Sequence, residues 1–95
     1  MIVVRNCFVA KPGQASKLAA QLKDAAATMA IPHHRILTDI TGDFNRVIME
    51  YTVADISEFE ARMKDYMTNT EFRAKMAGYI DLWITGSREL LQIVE

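Results

Sequence analysis

HRILTDITGDFNRVIMEYTVADISEFE, residues 34–60, runs through a strand, a turn, a second strand and the opening of a helix without a break. Pro32, just ahead of it, forbids simple continuation of a preceding helix, so a strand is expected over His33 to Thr41. Thr41-Gly42-Asp43 supplies the turn, where Gly42 is free to take a positive φ. Arg46 to Val53 follows with the β-formers Val47, Ile48, Tyr51, Thr52 and Val53, and the two strands should pair as an antiparallel hairpin. Asp55-Ile56-Ser57-Glu58 then reads as a capping box, with the aspartate accepting from the helix amides while Glu58 reaches back. The fold turns on what flanks this hairpin.

Upstream, MIVVRNCFVAKPG (residues 1–13) predicts a strand over Met1 to Val9 and a chain reversal at Lys11-Pro12-Gly13. Ala15, Leu18, Ala19, Leu22, Ala25, Ala26 and Met29 recur at helical spacing, with Lys17, Gln21, Lys23 and Asp24 on the wet side. Downstream, Ile56, Phe59, Met63, Tyr66 and Met67 form the apolar stripe of a second helix, which Thr68-Asn69-Thr70 should interrupt. A further helical segment carries Phe72, Met76 and Tyr79 and stops near Gly78. The last strand is expected over Trp83 to Val94, bent near Gly86.

The order of elements is therefore βαββαβ, two βαβ halves whose inner strands form the central hairpin. That order predicts an α+β ferredoxin-like βαββαβ plait, a four-stranded antiparallel sheet with helices on one face, built as a single domain over residues 1–95. The strands nevertheless carry apolar residues on both faces, and 51% of the chain is hydrophobic. A domain of 95 residues has little interior for them, so the uncovered sheet face should meet a second copy, closing a dimeric α/β barrel.

Composition narrows the function classes. Net charge is −1 with both signs interspersed, which lacks the electrostatic footprint of a nucleic-acid binder. The first apolar run is broken at Arg5 and again at Lys11-Pro12, too short for a signal peptide or a spanning helix, so no membrane partner is expected. The lone Cys7 cannot form an internal disulfide, which suits a reducing cytoplasm, and a strand cysteine is more often a small hydrophobe than a reactive thiol.

MIVVRNCFVAKPG before an alanine-rich helix resembles the start of many dimeric α/β-barrel proteins. The hairpin stretch and the ending ITGSRELLQIVE (residues 84–95) are similar to NIPSNAP-like members of that superfamily. The superfamily also holds the antibiotic-biosynthesis and haem-degrading monooxygenases, and the resemblance reaches them at two places. An asparagine on the first strand is matched by Asn6. DYMTNTEFRAKMAGY (residues 65–79) resembles the haem-degrading pattern, but Met76 stands where the iron-ligating histidine would be and Tyr66 near the position of the haem-crowding tryptophan. The resemblance thus implies the barrel fold without implying a haem or any other cofactor.

Strand alternation sends Arg5 and Asn6 to opposite faces. Asn6, with Ile2, Val4 and Phe8, belongs under the helices, where a buried amide must find a hydrogen bond, either locally or on a substrate. Arg5, with Val3, Cys7 and Val9, belongs on the open face, where Arg46, Glu50 and Arg88-Glu89 could complete a charge network. Tyr66, Phe72, Met76 and Tyr79 could wall an apolar pocket or simply fill the core. His33-His34 point to opposite faces and have no companions for a metal. The candidate ligand-contacting residues are Asn6, Tyr66, Phe72 and Met76. Three functions fit: a barrel holding a small, mostly apolar ligand, a cofactor-independent monooxygenase of an electron-rich aromatic, and an interaction module with a filled interior.

Overall fold

The computed structural model describes all 95 residues, Met1–Glu95. Its elements are β1 (Ile2–Ala10), α1 (Ala15–Thr28), β2 (Arg35–Thr38), β3 (Arg46–Val53), α2 (Ile56–Thr68), α3 (Thr70–Lys75), a 3₁₀ turn (Tyr79–Leu82) and β4 (Trp83–Gln92). The strands form one antiparallel sheet of four in the order β2-β3-β1-β4, with β1 and β3 central. This is the ferredoxin-like plait, helices on one face.

Alternation places Ile2, Val4, Asn6 and Ala10 of β1 and Val47, Tyr51 and Val53 of β3 beneath the helices, all of them buried. Two core clusters result. Ile2, Val4, Tyr51 and Val53 pack with Ala26, Ile31 and Tyr66. Ala10 and Val47 pack with Leu18, Leu22 and Leu82. Met49 touches both clusters and lies on the seam between them. The alanines of α1 let that helix lie close to the sheet, and Ala25 and Ala26 are fully buried.

Several local expectations hold to the residue. Asp55 caps α2, its Oδ1 accepting from the Glu58 amide at 2.9 Å, while Glu58 Oε2 accepts from the Ala54 amide at 2.6 Å. Asn69 separates α2 from α3 in an extended conformation, and its Oδ1 accepts from the Phe72 amide at 2.8 Å. Gly13 and Gly78 take φ of 80° and 79°, ending the turns that the sequence assigns to them.

Others need correction. The second strand spans only Arg35–Thr38, because His33 turns left-handed (φ 54°) and Ile31 is drawn into the core. At its far end Asp39 Oδ1 accepts from the Arg46 amide, opening a loop from Asp39 to Asn45 rather than a tight turn. The last strand bulges at Ile84, where the register slips between Val9–Thr85 and Ala10–Trp83, and it ends at Gln92. Gly86 provides clearance instead: a Cβ there would lie 3.2 Å from both the Phe8 ring and the Cys7 carbonyl. Ile56 and Met67 of the predicted stripe are exposed, since α2 meets the sheet mainly at β3. Gln21, expected on the wet side, donates to the carbonyls of Lys75 and Ala77, tying α1 to the end of α3. No helix is long and apolar enough to cross a membrane.

Candidate functional site

The helix layer stops short of β4, whose residues stay largely exposed, and a half-open pocket of about 380 Å³ is left at the seam between the core clusters. Its floor is the sheet, with Asn6 and Phe8 from β1, Met49 and Tyr51 from β3 and Arg88 from β4. Its walls are Met63, Tyr66 and Met67 of α2, then Phe72 and Arg73 of α3 with Met76 and Tyr79 beyond it. Leu22 of α1 closes the back. All of Asn6, Tyr66, Phe72 and Met76, singled out from the sequence, line this one cavity. The Asn69 break makes that convergence: it turns the chain between Tyr66 and Phe72, so that their rings stack at 5.3 Å.

Asn6 is buried, 7% exposed, and its Oδ1 accepts from Arg88 Nε at 2.7 Å. A guanidinium can only donate, so this bond fixes which end of the amide is oxygen. The Asn6 NH₂ makes no hydrogen bond within the chain and remains a donor at the pocket. The partner is a side chain from another strand rather than nearby backbone. Strand register brings the two together, since Asn6 stands opposite Arg88.

Tyr66 presents a buried hydroxyl with no hydrogen-bond partner, and its ring meets Tyr51 edge-on at 6.2 Å. Burial raises the Tyr66 pKa despite the opposing pull of Arg62. Burial likewise pushes Tyr51 up to about 12, with nearby Tyr66 adding to it. Both phenols therefore stay protonated near neutrality and can donate. Two residues with an unused donor, Asn6 with its amide and Tyr66 with its hydroxyl, thus line one apolar cavity. Such donors can hold a carbonyl, phenolate or peroxide oxygen.

On the open sheet face Arg35, Glu50, Arg5 and Glu89 stand in one row across all four strands. Glu50 Oε1 accepts from Arg5 Nε at 2.6 Å and Oε2 from Arg35 Nε at 2.8 Å, while Arg5 lies 3.7 Å from Glu89. Burial works against the Glu50 charge, but the hydrogen bonds from Arg35 and Arg5 outweigh it and hold its pKa below the usual glutamate value. Two members of the expected network belong elsewhere. Arg46 pairs with Asp39 at 3.7 Å, and Arg88 points under the helices because it is one residue out of phase with Glu89. Cys7 is half-buried and free on the open face.

The residues lining the pocket include no histidine, and nowhere does the chain bring together three His, Cys, Asp or Glu side chains in a metal-binding group. His33 is exposed, and His34 Nδ1 lies 2.6 Å from the Ile31 carbonyl. A thioether stands at Met76, so these residues do not fit a histidine-ligated haem.

No family model and no curated protein matches the sequence. Solved structures do. An uncharacterised NIPSNAP domain protein from Burkholderia xenovorans is similar with a TM-score of 0.83 at 14% identity, over 99% of this chain and 95% of that one. A NIPSNAP family protein from Agrobacterium tumefaciens gives 0.86 at 11% identity, over 99% and 93%. An antibiotic biosynthesis monooxygenase gives 0.74 at 12% identity over the whole of both chains. At such identities the likeness is one of fold: this chain has a NIPSNAP-like fold, which that antibiotic biosynthesis monooxygenase shares.

Proposed function

We propose that the protein is a cytoplasmic, homodimeric NIPSNAP-like barrel whose pocket between sheet and helices holds a small, mostly apolar ligand. The cavity carries this reading: about 380 Å³ lined by 13 residues, 10 of them hydrophobic, with unused donors at Asn6 and Tyr66. Ligand pockets span roughly 300–1,000 Å³ and combine apolar walls with a few convergent polar groups. A purely structural role would suit a filled interior instead.

The dimer is supported by the open sheet face, where Val3, Cys7, Leu37, Ile48 and Leu91 surround the charge row. That row sums to zero charge, so an identical face can cover it without stranding an unpaired ion. The lone free Cys7 is consistent with a reducing compartment. Native mass spectrometry of the freshly purified protein tests the ligand reading. A dimer with a reproducible extra mass supports it, and a bare dimer that binds no apolar aromatic in subsequent titration overturns it.

A second reading is favoured by the paired donors: a cofactor-independent monooxygenase of an electron-rich aromatic. There the ionised substrate reduces dioxygen itself, one oxygen atom entering the ring and the other leaving as water. Asn6 would stabilise the anionic oxygen species and Tyr66 would donate a proton. Oxygen uptake with hydroquinones tests it: Asn6→Ala should abolish uptake while the dimer persists.

A further inference from the structure

Arginine pairing across the molecule divides cleanly. Arg5 and Arg35 bind Glu50, Arg46 faces Asp39, and Arg62 binds Glu58. Arg73 and Arg88 have no carboxylate partner, and both line the pocket. No Asp or Glu lines it with them. This apolar cavity therefore carries two positive charges without a carboxylate partner at its edge, one from α3 and one from β4.

Arg88 is further organised. Its Nε is committed to Asn6 Oδ1, and its guanidinium carbon lies 6.0 Å from the centroid of the Phe59 ring. A guanidinium has five N–H donors, so the bond to Asn6 orients the group and leaves its terminal amines unspent. The unpaired NH₂ of Asn6 lies beside it. Arginines at an apolar cleft raise the local concentration of anions and meet a carboxylate with charge-assisted hydrogen bonds.

We propose that the pocket is an acid site: it takes a compact amphipathic anion, an aromatic or aliphatic body ending in a carboxylate, with the body against Phe72, Met76 and Met49 and the charged end at Arg73 and Arg88. This rests on the reading of the pocket as a ligand site and names the ligand's class. Both arginines are substantially exposed, so water and salt screen them, and the preference for an anion should be moderate and dependent on ionic strength.

The test compares two probes of one shape, 2-naphthoate and the neutral 2-naphthamide, titrated into the ¹⁵N-labelled full chain at low salt. The naphthoate should shift the amides of Asn6, Phe72 and Met76 and bind about tenfold tighter than the amide, the order expected for one or two screened charge-assisted contacts. Raising the salt should shrink that ratio. Arg73→Gln should shrink it further while Arg73→Lys, which keeps the charge, retains most of it. Equal affinities for the two probes would overturn the acid site and leave the pocket standing. Shifts confined to the open sheet face, or none at the pocket with either probe, would overturn both.

Discussion

Glu50 shows how one side chain can belong to both the protomer and its surface. It is 4% exposed, yet both of its hydrogen-bond partners reach toward solvent. Its pKa is lowered from 4.5, so its contribution to stability is fully present above that value and is lost as pH falls through the lower folded value. Glu50→Gln should therefore cost about 1–3 kcal/mol at pH 7, because Arg5 and Arg35 lose their shared acceptor. Urea midpoints measured from pH 7 down to pH 3 should converge between variant and parent at the acid end. Tyr66 predicts the opposite behaviour. Its buried hydroxyl satisfies no partner, so Tyr66→Phe should leave stability unchanged or raise it by up to about 1 kcal/mol by thermal denaturation. A stability loss above that would reveal a hydrogen bond made through an ordered water. Asn6 was legible as a polar residue on the core face; its partner was not, since nothing local links it to a residue 82 positions away.

At the scale of elements, the break between α2 and α3 shapes the pocket. Asn69 ends one helix and caps the next, and the short α3 that follows carries Phe72 and Arg73, with Met76 as its C-cap. Asn69→Ala removes the acceptor for the Phe72 amide and should cost about 1 kcal/mol of stability. It should also loosen α3 preferentially, faster amide exchange at Phe72 and Arg73 than in α1 being the readout. The break itself was legible, because Thr68-Asn69-Thr70 favours caps over helix interiors. The reach of α2 was not. Its stripe predicts Ile56 and Met67 as buried, but a stripe records only which face could pack, and α2 finds sheet beneath only part of its length. Strand β2 fell short for a related reason: its single neighbour, β3, and the turn forced at His33 left only Arg35–Thr38 to pair.

For the whole molecule, the helices cover one side of the sheet and leave the other with half-buried Val3, Cys7 and Ile48 beside exposed Leu37 and Leu91. Sedimentation at micromolar concentration should give a dimer, and a monomer there would overturn the barrel. Ile48→Lys, placing a charge in that face but outside the protomer core, should yield a folded monomer with an unchanged far-ultraviolet spectrum. If the variant instead unfolds, the protomer is not stable without its partner.

The sequence alone determined the order of elements, the α+β plait, the faces of Arg5 and Asn6, the cap at Asp55 and the helix break at Thr68-Asn69-Thr70. Each of these follows from periodicity or from bonds spanning a few residues, which a linear chain displays directly. Only the tertiary structure decided that Arg88 meets Asn6, that Arg35 joins Glu50 while Arg46 does not, and that a cavity opens beneath β4. Those outcomes depend on strand register and on how far the helix layer extends. A shift of one residue exchanges the two faces of a strand, and many distant contacts together, rather than any local pattern, settle which register wins.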